Sequence, residues 1–285
     1  MTMFKNKIKT VVLLGILSAI LVGLGSFFGQ NGLFIGLVFA VGMNVFSYFF
    51  SDKIVLWMYG AKEAKESEYP EFYKIVRELT RKADIPMPKM YIVNTPHSNA
   101  FACGRSPKHA AVACTTGILN LLTKEELRGV LAHEISHIKN RDILVATIAA
   151  TIASVISYLA MMARFAAMFG GGRDRDRGNN LIGLIVLGIL TPLIATIIQL
   201  AISRSREYLA DESGAKLIGT GKPLAAALEK LHTDIKHHPL APTATTKTTA
   251  HMMISSPFNA KGLVSLFSTH PDYQKRCEKL KNMKF

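Results

Sequence analysis

Charge is scarce in this chain. Only 19% of its 285 residues are Asp, Glu, Lys or Arg, against about 25% in an ordinary soluble domain. Acidic residues are the scarcer kind: 20 stand against 34 Lys and Arg, a net charge of +14 with pI ≈ 9.7. Cys103, Cys114 and Cys277 are the only cysteines and form no CxxC pair, which excludes a disulfide scaffold and suits a reducing compartment. The rest is heavily apolar, 49% hydrophobic with mean hydropathy +0.24, and that excludes disorder. A basic chain suggests nucleic acid or a membrane. The apolar excess favours the membrane, and the basic residues do not cluster with aromatics as nucleic-acid binding would ask.

Four runs hold no charged residue: Val11 to Phe28, Leu33 to Phe50, Ile143 to Ala163 and Leu181 to Ile202. At 18, 18, 21 and 22 residues, each has a length that spans a bilayer as a helix. A signal peptide does not fit, because a second run follows the first almost at once and no small-residue cleavage site intervenes. Two hairpins are expected, one turning through Gly29-Gln30-Asn31-Gly32 and the other through the polar stretch from Gly170 to Asn180. The chain then divides into an N-terminal hairpin (1–50), a polar segment (51–142), a second hairpin (143–202) and a second polar segment (203–285). This arrangement puts the N-terminal tail and both polar segments on one side, with 30 of the 34 Lys and Arg. Positive charge marks that side as cytoplasmic, so both termini are expected there. Trp57 and Tyr59 suit an interfacial belt. A transporter is disfavoured, since its substrate path usually needs an ionisable residue within the spans.

The first polar segment reads as α+β. A helical stretch runs from Pro70 to about Lys82 and is broken by Ala83–Pro88. Three β-like runs follow, Lys89 to Asn94, Asn99 to Cys103 and Ala110 to Thr115. Thr123 and Glu126 form a capping box that opens the next helix. That helix carries His133-Glu134-Ile135-Ser136-His137. Histidines at i and i+4 share a helical face and can bind one metal ion, while Glu134 is placed to act as general base. Zn²⁺ is the expected ion, one per chain, and such a site hydrolyses peptide bonds.

A catalytic zinc needs a third protein ligand and an open fourth position. His137 lies six residues before the third apolar run and Glu207 five residues after the fourth. An antiparallel pair of helices would bring both to similar heights above the membrane, making Glu207 the candidate third ligand. Asp211, four residues on, shares its face and could orient a ligand imidazole. Arg206 could assist or pair with an acid. His270, before Pro271, could donate a hydrogen bond to the oxyanion of the tetrahedral intermediate or could simply cap a helix.

The chain resembles the HtpX group of membrane zinc metalloproteases, relatives of the CAAX prenyl proteases. The matching pieces are His133–Asp142, Ser203–Asp211, Asn99-Ala100-Phe101-Ala102 and Ser268-Thr269-His270-Pro271, in the family's order and interleaved with the apolar runs. The resemblance implies a mainly helical α+β membrane protein with four apolar segments and a small gluzincin-like zinc-peptidase domain bearing a short sheet. It assigns the third zinc ligand to Glu207. It makes Asn99, Ala100, Phe101 and Ala102 an edge strand that pairs with substrate backbone, where the residues alone suggest an ordinary strand. It also implies a multi-pass protein of the inner or plasma membrane, with a cytoplasmic active site and polypeptide substrates, among them membrane proteins, in stress-linked quality control. A zinc-containing scaffold or chaperone without proteolysis, and a prenyl-peptide protease, remain the alternatives.

Overall fold

The computed structural model describes residues 2–26, 29–153, 156–157, 204–237, 248–249, 252–254 and 271–285. Helices α1 (Thr2–Ser26) and α2 (Gly29–Met58) pack along one another. Asn44 Nδ2 on α2 donates to Ser18 Oγ on α1 at 2.8 Å, a polar tie of the kind that joins helices where no water competes. The reversal falls earlier than expected. Gly29, at φ 75°, opens α2, so the residues from Gly29 to Gly32 are helical. Nor does α2 stop at Phe50. Its last turns carry Asp52 and Lys53 and then bury Val55 and Leu56 against the sheet, and that packing continues the helix beyond its apolar part.

Among the described residues, α2 is the helix long and apolar enough to cross a membrane. The apolar part of α1, Ile8–Gly23, and helix α6 (Ile143–Ala153) are shorter. Leu13 and Leu17 of α1 pack with Val145, Ile148 and Ile152 of α6 in one core. The remainder of the third apolar run, apart from residues 156–157, and the fourth run lie outside the described residues, so the second hairpin is not described.

The polar body opens with strand β1 (Lys62–Glu63) and helix α3 (Pro70–Ala83). Pro70 sits in the first turn, where its missing N–H costs nothing, and Asp84 closes the helix in the left-handed conformation. Strands β2 (Lys89–Val93), β3 (Ala100–Ser106) and β4 (His109–Thr115) follow, then α4 (Thr116–Leu121) and α5 (Lys124–Lys139). The sheet order is β1-β2-β4-β3, with β2 and β4 parallel and the other pairs antiparallel. This makes β3 an edge strand. Helices α7 (Arg204–Ile218), α8 (Lys222–His237) and α9 (Tyr273–Asn282) complete the body. Helix α8 runs through His232 to His237.

The sheet is buried on both faces. Ala100 and Ala102 of β3 point into a core formed with Val76, Leu79, Leu131 and Ile135 of α3 and α5. Phe101 and Cys103, one step out of phase, point to Val55 of α2 and Ala150 of α6. The period of two along a strand thus joins α3 and α5 to the ends of the apolar helices through a single sheet.

Candidate active site

Helix α5 presents the His-Glu-x-x-His group from a fixed start. The Thr123 side chain accepts the Glu126 N–H and the Glu126 carboxylate accepts the Thr123 N–H, so the capping box read from the sequence is formed. The helix is clasped from two sides. A Cβ on Gly129 would lie 2.5 Å from the Leu224 nitrogen of α8. A Cβ on Gly214 would lie 3.0 Å from the Ala132 carbonyl carbon and the His133 nitrogen. Glu207, Asp211 and Gly214 follow the i, i+4, i+7 spacing of one helical face. The close crossing at Gly214 thereby sets both carboxylates against the histidines.

Three donor atoms converge. His133 Nε2 and His137 Nε2 are 3.1 Å apart. Glu207 Oε2 is 3.7 Å from the first, and Glu207 Oε1 is 3.6 Å from the second. Ligands about 2.0–2.1 Å from a tetrahedral ion stand about 3.4 Å from one another, so the triangle has the dimensions that a zinc ion needs. The outer ring nitrogens both face carboxylates. His133 Nδ1 lies 2.9 Å from Asp211 Oδ1, and His137 Nδ1 lies 3.1 Å from Asp142 Oδ2. Carboxylates there favour the Nδ1–H tautomers, turning both Nε2 lone pairs to the centre.

Electrostatics point the same way. Burial penalises a charged His133 ring, but the bonds to Asp211 and Glu207 outweigh it and push the imidazole up to about 10. His137 is likewise raised, because the fields of Asp142 and Glu207 overcome its burial. The centre demands positive charge, which a proton or a metal cation can supply, and metal binding would release the protons. The residues present fit zinc.

Asp211 is itself held. Arg276 of α9 grips it with two bonds, Nε to Oδ2 at 2.9 Å and Nη2 to Oδ1 at 2.7 Å. Burial raises the Asp211 carboxyl, yet Arg276 and His133 bring it down to about 2. Arg276 Nη1 also donates to the Ile254 carbonyl at 3.2 Å and lies 3.9 Å from Glu207 Oε2. The sequence reading gave no role to Arg276 or Asp142. Arg276 sits in a basic helix that reads as a solvated face, and nothing local distinguishes it from Lys275 or Lys279. Asp142 has a weak signal: it lies just past the helix end, where Arg141 at φ 58° turns the chain back.

Glu134 is buried, and its carboxylate accepts a hydrogen bond from the Ala102 N–H. Burial lifts its carboxyl above the ordinary value, against the pull of both histidines. Strand β3 thus touches the expected base directly. Along its outer edge, Gly104 N–H is taken by Thr147 Oγ1 of α6 at 3.1 Å. Asn99 lies just before the strand, with its Oδ1 accepting the Ile254 N–H at 3.3 Å. Phe101 packs under the Tyr59 ring. Arg206 is buried in the field of Asp142 and Glu207, and burial lowers its guanidinium. His270 lies outside the described residues.

Known proteins share this arrangement of sequence. Residues 66–284 match peptidase family M48. A protease HtpX homolog of Thermodesulfovibrio yellowstonii is 52% identical over 280 residues, covering 98% of each chain. Another, of Syntrophobacter fumaroxidans, is 48% identical over 282 residues, 98% of this chain and 99% of the relative. The crystal structure of S. mikatae Ste24p shares the fold, with TM-score 0.52 and 20% identity over 98% of this chain and 66% of that one.

Proposed function

The chain belongs to peptidase family M48 and is a metalloprotease, and on that premise we propose a membrane-bound zinc endopeptidase whose ligands are His133, His137 and Glu207. The observation that carries this reading is the convergence of their three donor atoms. Zinc bound there would supply Lewis acidity, lowering the pKa of a bound water towards 7 and polarising the scissile carbonyl. Glu134 takes the proton of the attacking water at its carboxylate and returns it to the departing amine. Asp211 and Asp142 hold the two imidazoles in orientation, and Arg276 fixes Asp211. His270 is the proposed donor to the oxyanion, with Arg206 supporting the charge balance beside Glu207.

Substrate binds in extended form along the edge of β3, in the stretch from Asn99 to Ala102. Strand addition uses main-chain groups, so it recognises polypeptide without demanding a sequence. The Ala102 N–H, bonded to Glu134, sets the scissile bond beside the base. Membrane proteins and misfolded chains are the proposed substrates, because the sheet that carries this edge also rests on α2 and α6. The two hairpins give a multi-pass protein of the inner or plasma membrane with its site on the cytoplasmic side, serving stress-linked quality control.

Metal analysis and casein-type proteolysis on detergent-purified protein test this. One zinc per chain is expected, with activity lost to a chelator and restored by zinc. Glu134→Gln should keep the zinc and lower hydrolysis by about 10²–10⁴-fold. Undiminished cleavage by that variant overturns the mechanism. A wild type that holds zinc and cuts nothing makes the protein a scaffold.

A further inference from the structure

Several cations in the catalytic body are matched to acids: Lys65 with Glu68, Arg77 with Glu66, Lys124 with Glu71, Lys216 with Glu212 and Lys281 with Glu229. Among the described residues, Lys53 of α2 and Arg105 and Lys108 of the β3–β4 hairpin have no carboxylate partner. Two of them instead lie on apolar rings. Arg105 Cζ sits 4.8 Å from the centroid of the Phe49 ring, and Lys53 Nζ sits 5.1 Å from that of Phe50. Both rings are exposed on α2, the helix apolar and long enough to cross a membrane.

Position completes the picture. Phe50, Lys53 and Trp57 follow the i, i+3, i+7 spacing of one helical face, and Trp57 is 80% exposed. An exposed indole beyond a ladder of exposed phenylalanines marks the headgroup level of a bilayer. Asp52, the nearby acid, lies towards the sheet, where its charge acts on Cys103 and Tyr91. Arg105 and Lys53 thus lie over neighbouring rings at the headgroup end of α2, with Lys108 in the turn that follows β3. Polybasic groups at that depth draw anionic lipid with about 1 kcal/mol per Lys or Arg.

We propose that Lys53, Arg105 and Lys108 bind the phosphate of an anionic phospholipid, with its acyl chain lying along Phe49 and Phe50. The inference rests on α2 being a membrane helix. Its consequence is mechanical: Arg105 is three residues from Ala102 on the same strand, so a bound lipid pins the substrate-binding edge to the membrane surface.

Full-length protein reconstituted in equimolar phosphatidylglycerol and phosphatidylcholine, then extracted in mild detergent, tests this by native mass spectrometry of the lipids retained. Wild type is expected to retain phosphatidylglycerol several-fold over phosphatidylcholine. Lys53→Gln with Arg105→Gln should reduce the ratio to about one, while Lys53→Arg with Arg105→Lys preserves it. Lys216→Gln with Lys281→Gln, which removes the same charge elsewhere, should leave it unchanged. Equal retention by wild type and the first double variant overturns the site, as does a wild type without preference. A chain that fails to enter the vesicles overturns the membrane reading of α2 together with the site. The lipid ratio is read without any cleavage, so a failed protease reading would not be confused with it.

Discussion

The two histidines of the site are held by different means. His133 is 1% exposed and backed by Asp211, which is gripped in turn by Arg276 from a helix 65 residues further along. His137 is 17% exposed and backed by Asp142, five residues away across a turn. One side is dry, long-range and locked by charge; the other is partly wet and local. The difference teaches how the proposed metal centre would divide its tasks. The dry side couples the metal to the fold, and the wet side leaves room for water and substrate.

The two sides should therefore break differently. Arg276→Met leaves the Asp211 carboxylate buried without its counter-ion, a change that costs about 3–5 kcal/mol. Denaturant unfolding in detergent should show that loss, with a zinc affinity lower by about 10–100-fold. Acid separates the sides next. Asp211 sits at about 2 in place of its ordinary 3.8, so its stabilisation is present above pH 4 and disappears as pH falls through 2. For metal-free wild type that loss is on the order of 2 kcal/mol. The Asp211→Asn chain, less stable throughout, should lack this part of the pH dependence, and unfolding curves at pH 5 and 2.5 make the comparison. Asp142→Asn is the mildest change. It should lower zinc affinity about tenfold while leaving the unfolding midpoint of the metal-free protein nearly unmoved, as titration against a chelator and thermal melts would show. Equal destabilisation by Arg276→Met and Asp142→Asn would remove the distinction.

The wet side was far easier to read from the residues. The His133–His137 spacing, the Thr123–Glu126 box and the Pro70 helix start are all local, and local physics forms them as expected. Glu207 was within reach from its distance past the fourth apolar run and from the family resemblance, and Asp211 because it shares the helix face of Glu207. Arg276 was not, because its partner is 65 positions away and its neighbours Lys275 and Lys279 give the helix a solvated look. The sheet strands appeared at nearly the right places, but their order did not, since pairing of β2 with β4 is a tertiary outcome. The extent of α2 beyond the apolar run is likewise a tertiary outcome. Asp52 and Lys53 suggest a helix stop, whereas packing of Val55 and Leu56 against the sheet carries the helix on to Met58.

Arg276 has one more consequence, for the time at which the enzyme comes into being. It follows every other described site residue in the chain, so a nascent polypeptide exposes both histidines, Glu134, Glu207 and Asp211 before the group that locks them. Until α9 has left the ribosome and docked, Asp211 lacks its guanidinium partner and the dry side is incomplete.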